Sequence, residues 1–264
     1  MLMANETVAQ EYCTEEIPFV YRTHDNPDPE KVESLLTLLH NQGVKIQKAK
    51  EEITPKEIQQ IIESIEGLPN EAMISRLVLR SMKQAKYSTL NSGHFGLAAK
   101  YYTHFTSPIR RYPDLQIHRI IKDDLRGRLD KGGRIGKYSS ILQHVAEQSS
   151  AMEQRAAEAE REAVKLKKAE YMLEHVGEEY DGVISGVTGW GFYVELPNTV
   201  EGLVHIMTLK DDYYNFDEEN YRLVGEQHGR VFRLGEPVRV RVRNAEPANR
   251  TIDFTYVEKE TETE

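Results

Sequence analysis

The sequence predicts an α+β chain: mainly helical over residues 1–175, then all-β in a small antiparallel barrel over residues 177–257. Three observations carry that expectation. Apolar residues recur at helical spacing through the first part. From Gly177 onward, short β-branched, alternating segments separated by turn residues replace them. With 264 residues, 39% hydrophobic and 29% charged, the chain is long enough for two modest domains with a heavily charged surface.

The chain opens as a helix already under way: MLMANETVAQEY places Leu2, Met3 and Val8 on an apolar side with no capping Ser, Thr or Asp before them. That abrupt start predicts that Met1 is an internal methionine of a longer protein. Asp25, Pro27, Asp28 and Pro29 mark a turn before a second helix. ITPKEIQQIIESIEG sets Ile53, Ile58, Ile61, Ile62 and Ile65 near helical spacing, with Pro55 in the first turn and Gly67 as the stop. Leu68, Pro69 and Asn70 lead into a further helix, EAMISRLVLRSMKQAKY.

From Asn91 to Tyr112 glycines and prolines break the periodicity, and a helix resumes near Asp114. DKGGRIGK reads as a flexible basic loop. Beyond it Val145, Met152, Ala159, Leu166 and Leu173 recur every seven residues, with Ala156 and Ala163 between them. This seam predicts a long helix packed within its own domain, with coiled-coil dimerisation as the rival. The strands expected after Gly177 are YDGVISGV, GFYVEL, EGLVHI, GRVFRL, PVRVRVRNA and RTIDFTYV, followed by an acidic, disordered tail over 258–264.

Net charge is −9, but it divides into −7 over residues 1–70, +8 over 71–150 and −10 over 151–264. The basic block attracts a polyanion or serves the acidic flanks as an internal partner. One cysteine, Cys13, excludes a disulfide framework and suits a reducing compartment. No apolar run reaches the roughly 20 residues of a membrane span, and no signal peptide is legible. The expected location is the cytoplasm, without a membrane partner.

The densest constellation is HFGLAAKYYTHFTSPIRRYPDLQIHR. Pro108 and Pro113 stiffen the segment carrying Arg110 and Arg111, at a helix start. Rigid guanidiniums bind phosphate in a planar fork and stabilise charge on a phosphoryl group in transfer. The rival reading is structural: one arginine of such a pair commonly braces a loop or bridges to a carboxylate, and Asp114 is close in sequence. His94, His104 and His118 lack metal-ligand spacing and read as packing or hydrogen-bonding residues. In the barrel, Trp190, Phe192 and Tyr193 share one expected strand, His205 ends the next, and Arg239, Arg241 and Arg243 share a face of a third. Tyr193 and His205 are expected to face RNA, with Phe192 in the core.

That central run closely resembles the most characteristic segment of the ribonuclease II family's catalytic (RNB) domain, in its ribonuclease R branch. LPNEAMISRLVLRSMKQAKYS and EQRAAEAEREA resemble neighbouring helices of that domain. The part from Gly177 to Val257 is similar to an S1 RNA-binding domain, an OB-fold barrel. The resemblance implies the C-terminal part of an RNB domain (1–175) and an S1 domain (177–257). It also implies hydrolysis of single-stranded RNA from 3′ to 5′ into nucleoside 5′-monophosphates, with magnesium as cofactor. The family's metal-binding aspartate cluster is not recognisable here, so the chain alone is expected to bind RNA without cutting it. The rival is a non-catalytic S1-type RNA-binding or regulatory protein. The resemblance assigns Arg110 to the scissile phosphate and Glu160 to the neighbourhood of the RNA 3′ end. Arg111 and Tyr112 become phosphate or packing residues, and Trp190, Tyr193, His205 and Arg241 RNA-binding residues of the barrel.

Overall fold

A computed structural model describes residues 1–41, 53–67, 71–129, 132–218 and 220–258. The expected turn at Leu68-Pro69-Asn70, the Asp130-Lys131 start of the basic loop and the acidic tail beyond Glu258 lie outside the described residues. The chain divides into two units. The first holds residues 1–35, 46–64 and 78–157, and the second holds 36–45, 65–77 and 158–264.

The helices are α1 (Leu2–Thr14), α2 (Pro29–Asn41), α3 (Pro55–Ile65), α4 (Glu71–Ser81), α5 (Tyr112–Leu125) and α6 (Arg134–Leu173). α1 begins at Met1 without a side-chain cap. α3 is set by a capping box: the Glu57 amide donates to Thr54 Oγ1 (3.3 Å), and Glu57 Oε2 accepts from the Thr54 amide (2.7 Å). Ile53, Ile58, Ile61 and Ile65 are buried, whereas Ile62, at the edge of that face, is exposed.

α4 stops at Ser81 rather than at Tyr87. Lys86–Ser88 forms β2, which pairs antiparallel with β1 (Tyr21–Thr23) in the register Arg22↔Tyr87. A partner strand more than sixty residues away overrides the helical propensity of the segment. A cluster around Phe19, Tyr21, Tyr87, Ile117, Ile120, Leu142 and Ala146 forms the core of the first unit.

The basic loop is also shorter than expected. Arg134, Gly136 and Lys137 are already helical, and Arg134 is bound to Asp123 together with the Tyr138 hydroxyl (2.8 Å). Of the heptad seam of α6 only Val145 is buried. Every residue from Ala151 to Arg161 is exposed, and Ala163 and Leu173 are exposed too. The other buried positions lie off the seam: Leu142 and Ala146 in the first unit, Ala169 and Met172 in the second. Between them, ion pairs one turn apart such as Glu158–Arg161 (2.6 Å) and Glu162–Lys165 (2.9 Å) suit a solvated helix.

The second unit contains a closed barrel of β3 (Glu179–Thr188), β4 (Gly191–Glu195), β5 (Glu201–His205), β9 (Pro237–Glu246) and β10 (Thr251–Val257), ordered β10-β5-β4-β3-β9. Its pairs are antiparallel except β10 with β5, which is parallel and corrects the all-antiparallel expectation. Alternation buries Phe192, Val194, Val204, Val240, Val242 and Phe254. The expected strand GRVFRL is β8 (Val231–Arg233). It belongs to a separate sheet with β6 (Tyr214–Asp217) and β7 (Arg222–Gly225), outside the barrel.

Candidate nucleic-acid interface

In the first unit the arginine pair sits on a turn at Pro108–Arg110 that feeds α5. The Arg110 and Arg111 amides both donate to the Ser107 carbonyl, at 3.3 and 3.1 Å. The fully buried Asp114 carboxylate accepts from the Ser107 amide (2.8 Å) and from Arg111 Nη2 (2.7 Å). Arg111 is therefore the brace, with its side chain 16% exposed. Arg110 is exposed, and its side chain has no hydrogen-bond or ion-pair partner among the described residues. The two arginines therefore differ: Arg111 is taken by the fold, and the Arg110 side chain is without a partner among the described residues. Tyr112 is half-exposed, with the Arg119 guanidinium 5.9 Å above its ring.

The approach to the bend is held from several sides. Thr103 Oγ1 donates to the Val20 carbonyl (2.6 Å), and the Phe105 amide donates to Asn5 Oδ1 (3.1 Å). His118 stacks on Phe105 at 4.4 Å and bonds its carbonyl through Nε2. These contacts make His118 a structural residue. Arg22, which sequence reasoning passed over, lies 4.7 Å from the Tyr87 ring centroid and is paired with Glu153 at 2.5 Å. Nothing in a three-residue strand signals such a partner. Burial, then the charges of Arg111 and Arg22, push the His104 imidazole down to about 3, and burial, then His24, pushes His94 to about 4.

In the barrel, Trp190 is on the β3–β4 turn rather than on a strand, and it is 55% exposed. Tyr193 in β4 lies opposite Leu203, and His205 at the end of β5 lies opposite Gly191. Both are half-buried on the outer side, because their neighbours Phe192, Val194 and Val204 fill the interior. The Ile206 amide donates to the Trp190 carbonyl (2.9 Å), tying the turn to the β5 end. His205 Nδ1 accepts from the Met207 amide (3.2 Å), which leaves Nε2 to carry the proton of the neutral ring.

Arg239, Arg241 and Arg243 share one exposed face of β9. Glu179 accepts from Arg239 Nε (2.9 Å) and from Arg241 Nη2 (2.6 Å). Arg241 is thereby already paired, while Arg243 has no partner among the described residues. Glu160 is exposed on α6 in the second unit, beside a groove of about 530 Å³ that Val164, Tyr171 and Val200 help to line. RNB nucleases depend on a metal ion. Among the described residues no group of three or more His, Cys, Asp or Glu side chains is placed to hold one, so these residues do not fit a magnesium site. No described helix is long and apolar enough to cross a membrane.

Residues 1–127 match the RNB domain family and residues 174–256 the S1 RNA binding domain family. Ribonuclease R 1 of Lactococcus lactis is 46% identical over 98% of this chain, which covers 32% of that protein. Ribonuclease R of Aquifex aeolicus is 48% identical over 98%, covering 36% of it. The chain thus spans about a third of the length of these relatives. Among solved structures, Mycoplasma genitalium RNase R in complex with ribose-methylated single-stranded RNA superposes with a TM-score of 0.91 at 27% identity. That match covers 97% of this chain and 40% of the other. With an RNB segment followed by an S1 barrel, and relatives of one kind along nearly its whole length, the chain belongs to the ribonuclease R branch of the ribonuclease II family.

Proposed function

We propose that this chain is the strand-gripping portion of a hydrolytic 3′-to-5′ exoribonuclease acting on single-stranded RNA in the cytoplasm. Residues 1–175 would be the C-terminal part of its RNB domain, 177–257 its S1 domain and 258–264 an acidic tail. One observation carries the reading: Arg110 is a guanidinium unpaired among the described residues, on a bend that its neighbour Arg111 locks through a buried carboxylate.

Arg110 binds non-bridging oxygens of the scissile phosphate and neutralises charge as it develops there; its rigid mounting means that little reorganisation is required. Arg111 acts through the bend, and Tyr112 offers an exposed ring to the same strand. Trp190 and Tyr193 give successive bases a stacking surface, and His205 donates through Nε2. Arg241 contributes charge while bound to Glu179, and Glu160 works near the 3′ end. Magnesium, whose ligands the described residues do not provide, would supply the activated water in the whole enzyme.

The test is a labelled single-stranded oligonucleotide mixed with this chain and magnesium, followed by anisotropy and by gel. Binding without shortening is expected; stepwise shortening would show that the chain holds its own metal ligands. Tyr193→Ala is expected to weaken binding by about 1–3 kcal/mol. In the complete enzyme Arg110→Ala should lower turnover by about two to three decades while affinity changes far less.

A further inference from the structure

Four rings of the first unit follow one another edge to face. His24 lies 5.1 Å from His94, His94 lies 5.2 Å from Tyr102, and Tyr102 lies 5.8 Å from His104. Tyr87 of β2 closes the file 5.6 Å from His104, and its hydroxyl is 3.0 Å from His104 Nδ1. Tyr87 is 7% exposed, and its hydroxyl has no other partner among the described residues. Were it the acceptor, its own hydrogen would be buried without one, at a cost of about 1–3 kcal/mol. The hydroxyl therefore donates, Nδ1 accepts, and the ring proton resides on Nε2. That nitrogen has no partner among the described residues and is not sealed from solvent.

The groups that face His104 are Tyr87 from β2, Arg22 from β1 with its counter-ion Glu153 from α6, and Tyr102 and His94 from the connecting segment. Arg110 and Arg111 of the bend, the latter with Asp114, complete the set. A further cation beside three guanidiniums would meet repulsion from each. A neutral N–H meets none and still points a directed hydrogen bond at an anion.

We infer that His104 is a second, uncharged donor of the Arg110 site: its Nε2–H donates to a phosphate oxygen of the strand that Arg110 binds, and Tyr87 is the positioning residue that fixes the tautomer. The inference rests on the RNA reading of the bend and adds to it a residue and a protonation state. The low basicity of the ring, set by burial and then by Arg111 and Arg22, keeps that donor uncharged.

The tautomer is read from two-bond imidazole 1H–15N correlations of the labelled chain between pH 5 and 8, assigned with His104→Gln. An Nε2–H pattern unchanged over that range is expected, with a shift of the Nε2 resonance when an eight-nucleotide oligouridylate is added. Tyr87→Phe should give a mixture of tautomers. An imidazolium at pH 5, or an Nδ1–H ring, overturns the inference.

Affinity is measured in a Tyr193→Ala, His205→Ala background, so that the barrel does not mask the first unit. His104→Phe should weaken oligouridylate binding about 10-fold, as expected for a lost hydrogen bond to a charged group. His104→Gln, whose amide reaches the position of Nε2, should restore it to within about 2-fold. If Arg110→Ala weakens binding and His104→Phe does not, the role of His104 alone is lost. If neither variant matters, the RNA reading of the bend fails as well.

Discussion

Arg111 and Asp114 stand one helical turn apart, and their pairing decides what Arg110 can do. Asp114 is fully buried and holds both the Ser107 amide and the Arg111 guanidinium. Removing that carboxylate leaves a mostly buried cation and an amide without their acceptor. Asp114→Ala is expected to cost about 3 kcal/mol, measured by urea denaturation, and to weaken RNA binding by releasing the bend. The sequence displayed both candidates for Arg111, anchor and brace, because Asp114 is near in the chain. It could not choose between them, since burial of the carboxylate depends on α5 packing into its core. Arg241 gives the converse case: Glu179 is remote in sequence and meets it only through the β3–β9 register Glu179↔Arg241.

Element boundaries were legible where local chemistry sets them. Thr54, Pro55 and Glu57 start α3, and Gly67, with φ +79°, follows its last turn. They were not legible for β1 and β2, each three residues long and paired across more than sixty residues. The heptad pattern of α6 misled for a different reason: alanine at helical spacing marks a good helix former as readily as a packed seam. In the barrel, Gly191 shows how an element end positions Trp190, a stacking residue of the proposed function. Its φ is +144°, and a Cβ there would stand 2.1 Å from the Val204 carbonyl oxygen. The β3–β4 turn carrying Trp190 can lie on the β5 end only because that atom is missing. Gly191→Ala should destabilise the barrel by about 2 kcal/mol, seen as a lower Tm, and reduce RNA affinity by displacing Trp190.

Over the whole molecule, the basic block of residues 71–150 supplies the exposed Arg110 and also Arg111, which with Arg22 from outside the block adds to the burial that keeps His104 neutral. His104 and His94 have folded-state values of about 3 and about 4, against about 6.5 in an unfolded chain. Between pH 6.5 and 4 the unfolded chain therefore binds more protons, so stability is greatest above that window and falls as pH falls through it. Urea midpoints are expected to decline from pH 7 to pH 4.5. His104→Gln and His94→Gln should flatten the decline, and an unchanged slope in both would refute the assignment.

By itself the sequence determined the order of helical and barrel parts, the stiff arginine bend and the outward stripe on β9. Each follows from period, proline position or alternation, which act over a few residues. Only the tertiary structure decided which charges remain available: Arg110 and Arg243 without a side-chain partner among the described residues, Arg111 and Arg241 taken, His104 kept neutral by burial and then by Arg111 and Arg22. A charge or a ring proton is settled by whatever stands within a few ångströms of it. For Arg241 and His104 those neighbours come from distant parts of the chain, and for Arg111 the nearby Asp114 counts only once it is buried.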